Sequence, residues 1–178
     1  MKKIISLLLV IIVLFRPALV AYASGPYMEC GSSTGNISIK SYSNDYDGVW
    51  VDMFDAGIEA WNSSSANVTI STTYVNVNTI EAARYNDTWY GHCEYIYNPL
   101  TKHIISFDIK INARTISESA TNFFNFAKSV IVHEFGHVFW LDDNPSTTEA
   151  SIMDNNRDRN TMTEPQQYDI NNVNAKYN

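Results

Sequence analysis

The sequence predicts an α+β fold, and three observations carry that prediction. Segments 36–42, 67–75, 88–97 and 102–112 alternate in polarity or are rich in β-branched and aromatic residues, as strands of a half-buried sheet are. Segments 49–62 and 121–141 are longer and carry apolar residues at helical spacing. A short helical pattern with Ile170, Val173 and Tyr177 three and four residues apart closes the chain.

The elements follow in order. Lys2 and Lys3, the apolar run from Ile4 to Phe15 and Ala21-Tyr22-Ala23 read as a signal peptide over 1–23, cleaved before Ser24. The alternative is an uncleaved anchor, although a membrane span needs about 20 apolar residues. Residues 24–178 are then expected to form a single domain of a secreted, extracellular protein. Gly25 to Gly35 is a Gly- and Ser-rich lead-in, Asn36 to Tyr42 a first strand, and Ser43 to Gly48 a turn cluster. A helix with Met53, Ala56, Ile58, Ala60 and Trp61 on its apolar side follows, then a second strand over 67–75. Residues 76–87 carry no clear pattern. Thr88 to Tyr97 reads as a strand with a glycine kink at Gly91, Asn98-Pro99 as a turn, and Lys102 to Asn112 as the strongest alternation in the chain. Ser117 or Ser119 can cap the helix that runs to about Leu141, and Thr163 with Pro165 can start the last one.

The chemistry concentrates in that second long helix, which contains His133-Glu134-Phe135-Gly136-His137. Positions i and i+4 share a helix face, so His133 and His137 can aim two imidazole nitrogens at one point. Val130, Ile131, Phe135, Val138 and Phe139 make the helix mostly buried. A buried His-Glu-His set is costly without compensation, and a zinc ion is the simplest compensation. Glu134 falls where it would act on water rather than on the metal. Only His92 and His103 remain among the histidines, and both read as ordinary strand residues.

Charge narrows the partners. The chain carries 12 Lys+Arg against 19 Asp+Glu, a net −7, which becomes −10 without Lys2, Lys3 and Arg16. With no basic cluster, repeat or heptad run, binding to nucleic acid or to an anionic membrane surface by charge is not expected. A monomer is expected. The acids could also hold Ca2+, although no D-x-D-x-D-G loop is present. Cys30 and Cys93 are the only cysteines, and outside the cytoplasm an even pair suggests a disulfide.

His133, Glu134 and His137, followed by Asp143 and by Ser151-Ile152-Met153-Asp154, resemble the metzincin clan of zinc endopeptidases. Their pattern is H-E-x-x-H-x-x-G-x-x-H, with aspartate replacing the last histidine in a minority such as the snapalysins. The tail from Thr163 to Tyr177 resembles the last helix of matrixin-like domains. The resemblance implies zinc held by His133, His137 and Asp143, Glu134 as catalytic base, and Met153 in a Met-turn beneath the metal. Asp142, one residue off, is the bland alternative of a solvated loop acid. The implied fold is a twisted, mostly parallel sheet with one antiparallel edge strand and two long helices. A small C-terminal part, 142–178, follows an upper part that ends at about 141. Strand 102–112 would lie at the sheet edge beside the cleft and pair with an extended substrate. Met28-Glu29-Cys30-Gly31 bears a faint likeness to the pro-segment cysteine that silences some members. One position departs from the pattern. The family glycine is Trp140, and tryptophan resists the positive φ that glycine supplies there. Either the turn is made differently or the third ligand comes from elsewhere.

The expected function is that of a secreted zinc-dependent endopeptidase acting on protein or peptide. The alternatives are an exported non-catalytic binding protein that keeps the metal as a staple, and a hydrolase acting on another substrate.

Overall fold

A computed structural model describes residues 25–177; the expected signal peptide lies outside them. The order is β1 (Asn36–Lys40), α1 (Gly48–Asn62), β2 (Thr69–Thr73), β3 (Thr79–Ala83), β4 (Gly91–Tyr97), β5 (Ile104–Asn112), α2 (Ala113–Ser119), α3 (Phe123–Val138) and α4 (Gln167–Lys176). The fold is a mixed α+β one. β1 and β2 pair in parallel, and β3-β5-β4 form a second sheet with β3 parallel and β4 antiparallel to β5. Asn78 stitches the two sheets together. Its carbonyl accepts from Lys40 N–H (2.8 Å), its amide donates to Ser38 O (2.9 Å), and its Oδ1 accepts from Phe107 N–H (3.1 Å).

Asp47 caps α1 by accepting from Trp50 N–H at 3.1 Å. Met53, Phe54, Ile58 and Trp61 of α1 are buried, and Gly57 lets α1 approach Ile131 of α3. Trp61 Nε1–H donates to Val132 O at 2.9 Å, so even the indole nitrogen of the core is satisfied. The core lies between these helices and the sheets, where Ile39, Ile109 and Ile111 are fully enclosed. Among the described residues, no helix is long and apolar enough to cross a membrane.

Four expectations need correction. First, the strongly alternating strand β5 is central, flanked on both sides; β4 is the antiparallel edge strand and borders the cleft. Alternation reports a strand with two different faces, not its place in the sheet. Second, Ser117 and Ser119 do not cap α3. Asn112 starts a separate short helix α2, Ala120 is extended, and Asn122 caps α3 through Asn125 N–H (3.1 Å). Third, α4 begins later than Thr163 and Pro165 suggested, because Asp169 reaches back to Gln166 N–H at 2.8 Å. Fourth, Cys30 and Cys93 are free, buried thiols, not a disulfide. The lead-in bridges to the chain just ahead of β5, at Gly31 and His103, and Cys30 engages Tyr95.

Candidate metal centre

The centre is assembled from one helix and one turn. α3 presents His133 and His137 on one face, with ring centroids 4.8 Å apart. Each Nδ1 lies against a backbone carbonyl: His133 Nδ1 is 3.0 Å from Ile152 O and His137 Nδ1 is 2.9 Å from Leu141 O. A carbonyl only accepts, so each Nδ1 carries the proton. Burial lowers the His133 pKa to about 4, which keeps that ring neutral. A neutral ring protonated at Nδ1 leaves its Nε2 lone pair free, which is how a metal-binding histidine is prepared by its outer partner.

The turn after α3 sets the third residue. Trp140 has φ 76°, the left-handed conformation that glycine ordinarily supplies. Trp140 N–H donates to His137 O (3.2 Å) and Leu141 N–H to Gly136 O (3.0 Å), the two bonds of a Schellman cap. The turn is therefore the glycine-type turn with tryptophan in the strained place. Such a residue costs about 1–3 kcal/mol and persists only where its surroundings over-determine it. Trp140 Nε1–H donates to Ser32 O at 2.9 Å, and its ring packs on Gly31, where any side chain would collide. Lys176 Nζ sits 4.4 Å from the Trp140 ring and 4.0 Å from the Tyr27 ring, a cation between two aromatic faces. Main-chain bonds from Met28 N–H to Trp140 O (2.8 Å) and from Asp142 N–H to Pro26 O (3.0 Å) bind the lead-in along the turn. Asn144, also left-handed at φ 48°, donates its N–H to Met153 O at 2.9 Å.

Asp143 is thereby brought to the histidines. Its Oδ1 is 3.0 Å from His133 Nε2 and 3.8 Å from His137 Nε2. That oxygen is buried and receives no hydrogen bond. Three electron-pair donors converge on one point, all within 4.8 Å of one another, with no proton among them. Such a set is repulsive by itself and suits a cation, and two imidazoles with one carboxylate suit zinc. Asp142 accepts from Asp143 N–H at 2.9 Å and is not one of the three converging groups. His92, which lines the same cleft, lies 4.0 Å from Glu94, and His103 packs edge-on to Trp140; neither belongs to the converging group. Among the described residues no second group of at least three His, Cys, Asp or Glu side chains converges in this way.

Glu134 is buried beside the three and lies against Gly91 of the edge strand. Burial, reinforced by the Asp143 charge, raises its pKa to about 8, against the pull of Arg157 and Arg159. Met153 lies under α3, where a Cβ on Gly136 would stand 2.6 Å from its sulfur. A cleft of about 510 Å³ opens over these groups between β4 and the C-terminal residues.

Sequence reasoning missed the support behind them. The buried Asp169 of α4 accepts from Ser151 Oγ–H (2.5 Å), Ile152 N–H (2.8 Å) and Gln166 N–H (2.8 Å). It thus holds Ile152, whose carbonyl orients His133, at its N–H and, through Ser151 Oγ, at the following peptide, whose Met153 N–H donates to Ser151 Oγ at 3.0 Å. Arg157 is buried and donates to Ser129 Oγ (3.1 Å), Ser129 O (3.2 Å) and Asp154 O (3.0 Å), pinning the C-terminal residues to α3. An acid at the third residue of a helix is a readable signal; its second role toward Ile152 is not.

No protein-family model and no curated protein matches the chain. Among solved structures, the chain is similar to one of the GM1-bound form of the ECX AB5 holotoxin. Identity there is 14%, 80% of each chain is covered and the TM-score is 0.50. It is also similar to high choriolytic enzyme 1, a hatching enzyme zinc-protease of the medaka fish Oryzias latipes. That match has 12% identity, covers 82% of this chain and 92% of that one, and has a TM-score of 0.49. At these identities the first likeness concerns the fold alone, and the second carries no argument.

Proposed function

We propose that the protein is a zinc-dependent endopeptidase of metzincin type, exported after loss of residues 1–23. The observation that carries the reading is the buried Asp143 Oδ1, without a hydrogen-bond donor, facing two imidazole lone pairs beside the Glu134 carboxyl.

His133, His137 and Asp143 would hold the metal, and their outer partners Ile152 O and Leu141 O keep both rings in the binding tautomer. Zinc bound there supplies Lewis acidity toward a water and a peptide carbonyl. Glu134 receives the water proton on its carboxylate and delivers it to the leaving amide nitrogen. Its place beside the three groups, at the floor of the cleft, suits both transfers. The open edge of β4 borders the cleft and offers backbone groups to an extended peptide. The net charge of −7 argues against nucleic acid as substrate.

The test uses the purified mature chain, metal analysis and a quenched-peptide library. One zinc per chain is expected, with cleavage stopped by a chelator and restored by zinc. Glu134→Ala should keep the zinc and lose at least about a hundredfold in kcat. If Glu134→Ala cleaves as fast as the parent, the mechanism fails. Stoichiometric zinc without hydrolysis of any peptide favours the alternative, an exported binding protein with a metal staple.

A further inference from the structure

Two arginines line the cleft, and their bonding differs. Arg157 spends its guanidinium on Ser129 and Asp154. Arg159 is half-buried and makes no hydrogen bond or ion pair among the described residues. It is held instead by ring faces, 5.0 Å from the Tyr90 centroid and 5.8 Å from that of Phe126. That platform is itself fixed: the two rings meet edge-on at 4.9 Å, and Tyr90 Oη–H donates to Ser119 Oγ at 3.1 Å.

A guanidinium presents five N–H donors in a rigid fork that fits a carboxylate with two parallel bonds. Stacking leaves the fork's edge open while fixing its plane, which lowers the entropic cost of binding. In an acidic protein, a cation with its edge unused inside the cleft is matched to an anion that arrives from outside.

Resting on the peptide-hydrolase reading, we propose that Arg159 determines specificity by binding a carboxylate of the substrate close to the scissile bond. Because Arg159 and Glu134 line the same cleft, that carboxylate lies within a few residues of the bond being cut. It belongs either to an aspartate or glutamate side chain or to a free chain terminus.

The experiment uses quenched peptides in matched pairs, Glu against Gln at each of the positions flanking the cut, and free against amidated C-termini. kcat/KM is measured for the zinc-loaded protein. Affinity for the same pairs is measured by fluorescence anisotropy on zinc-loaded Glu134→Gln. At one position the acid should exceed its amide by about tenfold or more in both measurements. Arg159→Gln should bring that ratio to within about twofold, and Arg159→Lys should keep part of it. Discrimination confined to free C-termini would assign the carboxylate to the chain end. Equal rates and equal affinities for acid and amide would overturn the inference while leaving proteolysis intact. If no peptide is cut, the hydrolase reading fails, and the affinity ratio still decides whether Arg159 reads a carboxylate.

Discussion

His133 and His137 are held by one helix, whereas Asp143 is held by nearly everything else. The histidines sit four residues apart on a capped, buried α3, so their relative placement follows from helix geometry alone. Asp143 stands on a strained turn that is secured by the lead-in at Met28 and Ser32, by Lys176 near the far end of the chain, and by Met153 through Asn144. The ligand set thus joins a locally determined pair to a globally determined partner. Local perturbations should strike the pair, and distant ones should strike Asp143.

The largest effect should come from the pair. His137→Ala removes one of three donors and should weaken zinc binding by about a thousandfold or more, read by chelator competition. Retained affinity would move the metal away from α3. Next comes Asp169→Ala, which leaves Ser151 Oγ, Ile152 N–H and Gln166 N–H without their acceptor. It should cost about 3 kcal/mol in denaturant unfolding and weaken zinc binding by about tenfold through the freed Ile152 peptide. A loss of stability with zinc affinity unchanged would show that the orienting chain ends before His133.

Trp140→Gly is the sharper probe of the other member. It relieves the φ 76° strain but removes the ring that joins Ser32, Gly31 and Lys176. Packing should win, with a net loss of about 1–2 kcal/mol and weaker zinc binding. A stabilised variant would show that the turn is closed by backbone bonds alone. The last probe concerns pH in metal-free protein. The Glu134 pKa is raised by burial to about 8, so the folded state holds a proton that the unfolded chain releases near 4.5. Its contribution to stability is present below about pH 4.5 and is lost as the pH rises through about 8. The slope is at most about 1.4 kcal/mol per pH unit. Glu134→Gln should remove that slope, measured as Tm against pH in the presence of a chelator.

Legibility follows the same division. The motif, the two long helices and the strands β1, β2, β4 and β5 announce themselves through periodicity, because each is set by neighbours within a few residues. β3 was hidden, since Thr79–Ala83 carries only one strongly buried residue, Ile80, and owes its form to pairing with β5. Trp140 reads as an obstacle in isolation; the contacts that hold it open come from residues 27–32 and 176. Asp169 and Arg157 look like surface charges in the sequence, and only the fold encloses them. Free cysteines in place of a bridge make the same point, because an even count says nothing of which side chains the fold brings together.

Lys176 between the rings of Tyr27 and Trp140 has a consequence for the order of assembly. Closing a contact across most of a chain is entropically late, since long-range pairings wait on shorter loops. While the C-terminal residues are still being synthesised, the nascent polypeptide owns two imidazoles but no settled carboxylate. On the proposed zinc reading, capture of the ion belongs to the finished chain, so a protein cut short before residue 176 should emerge from synthesis without metal.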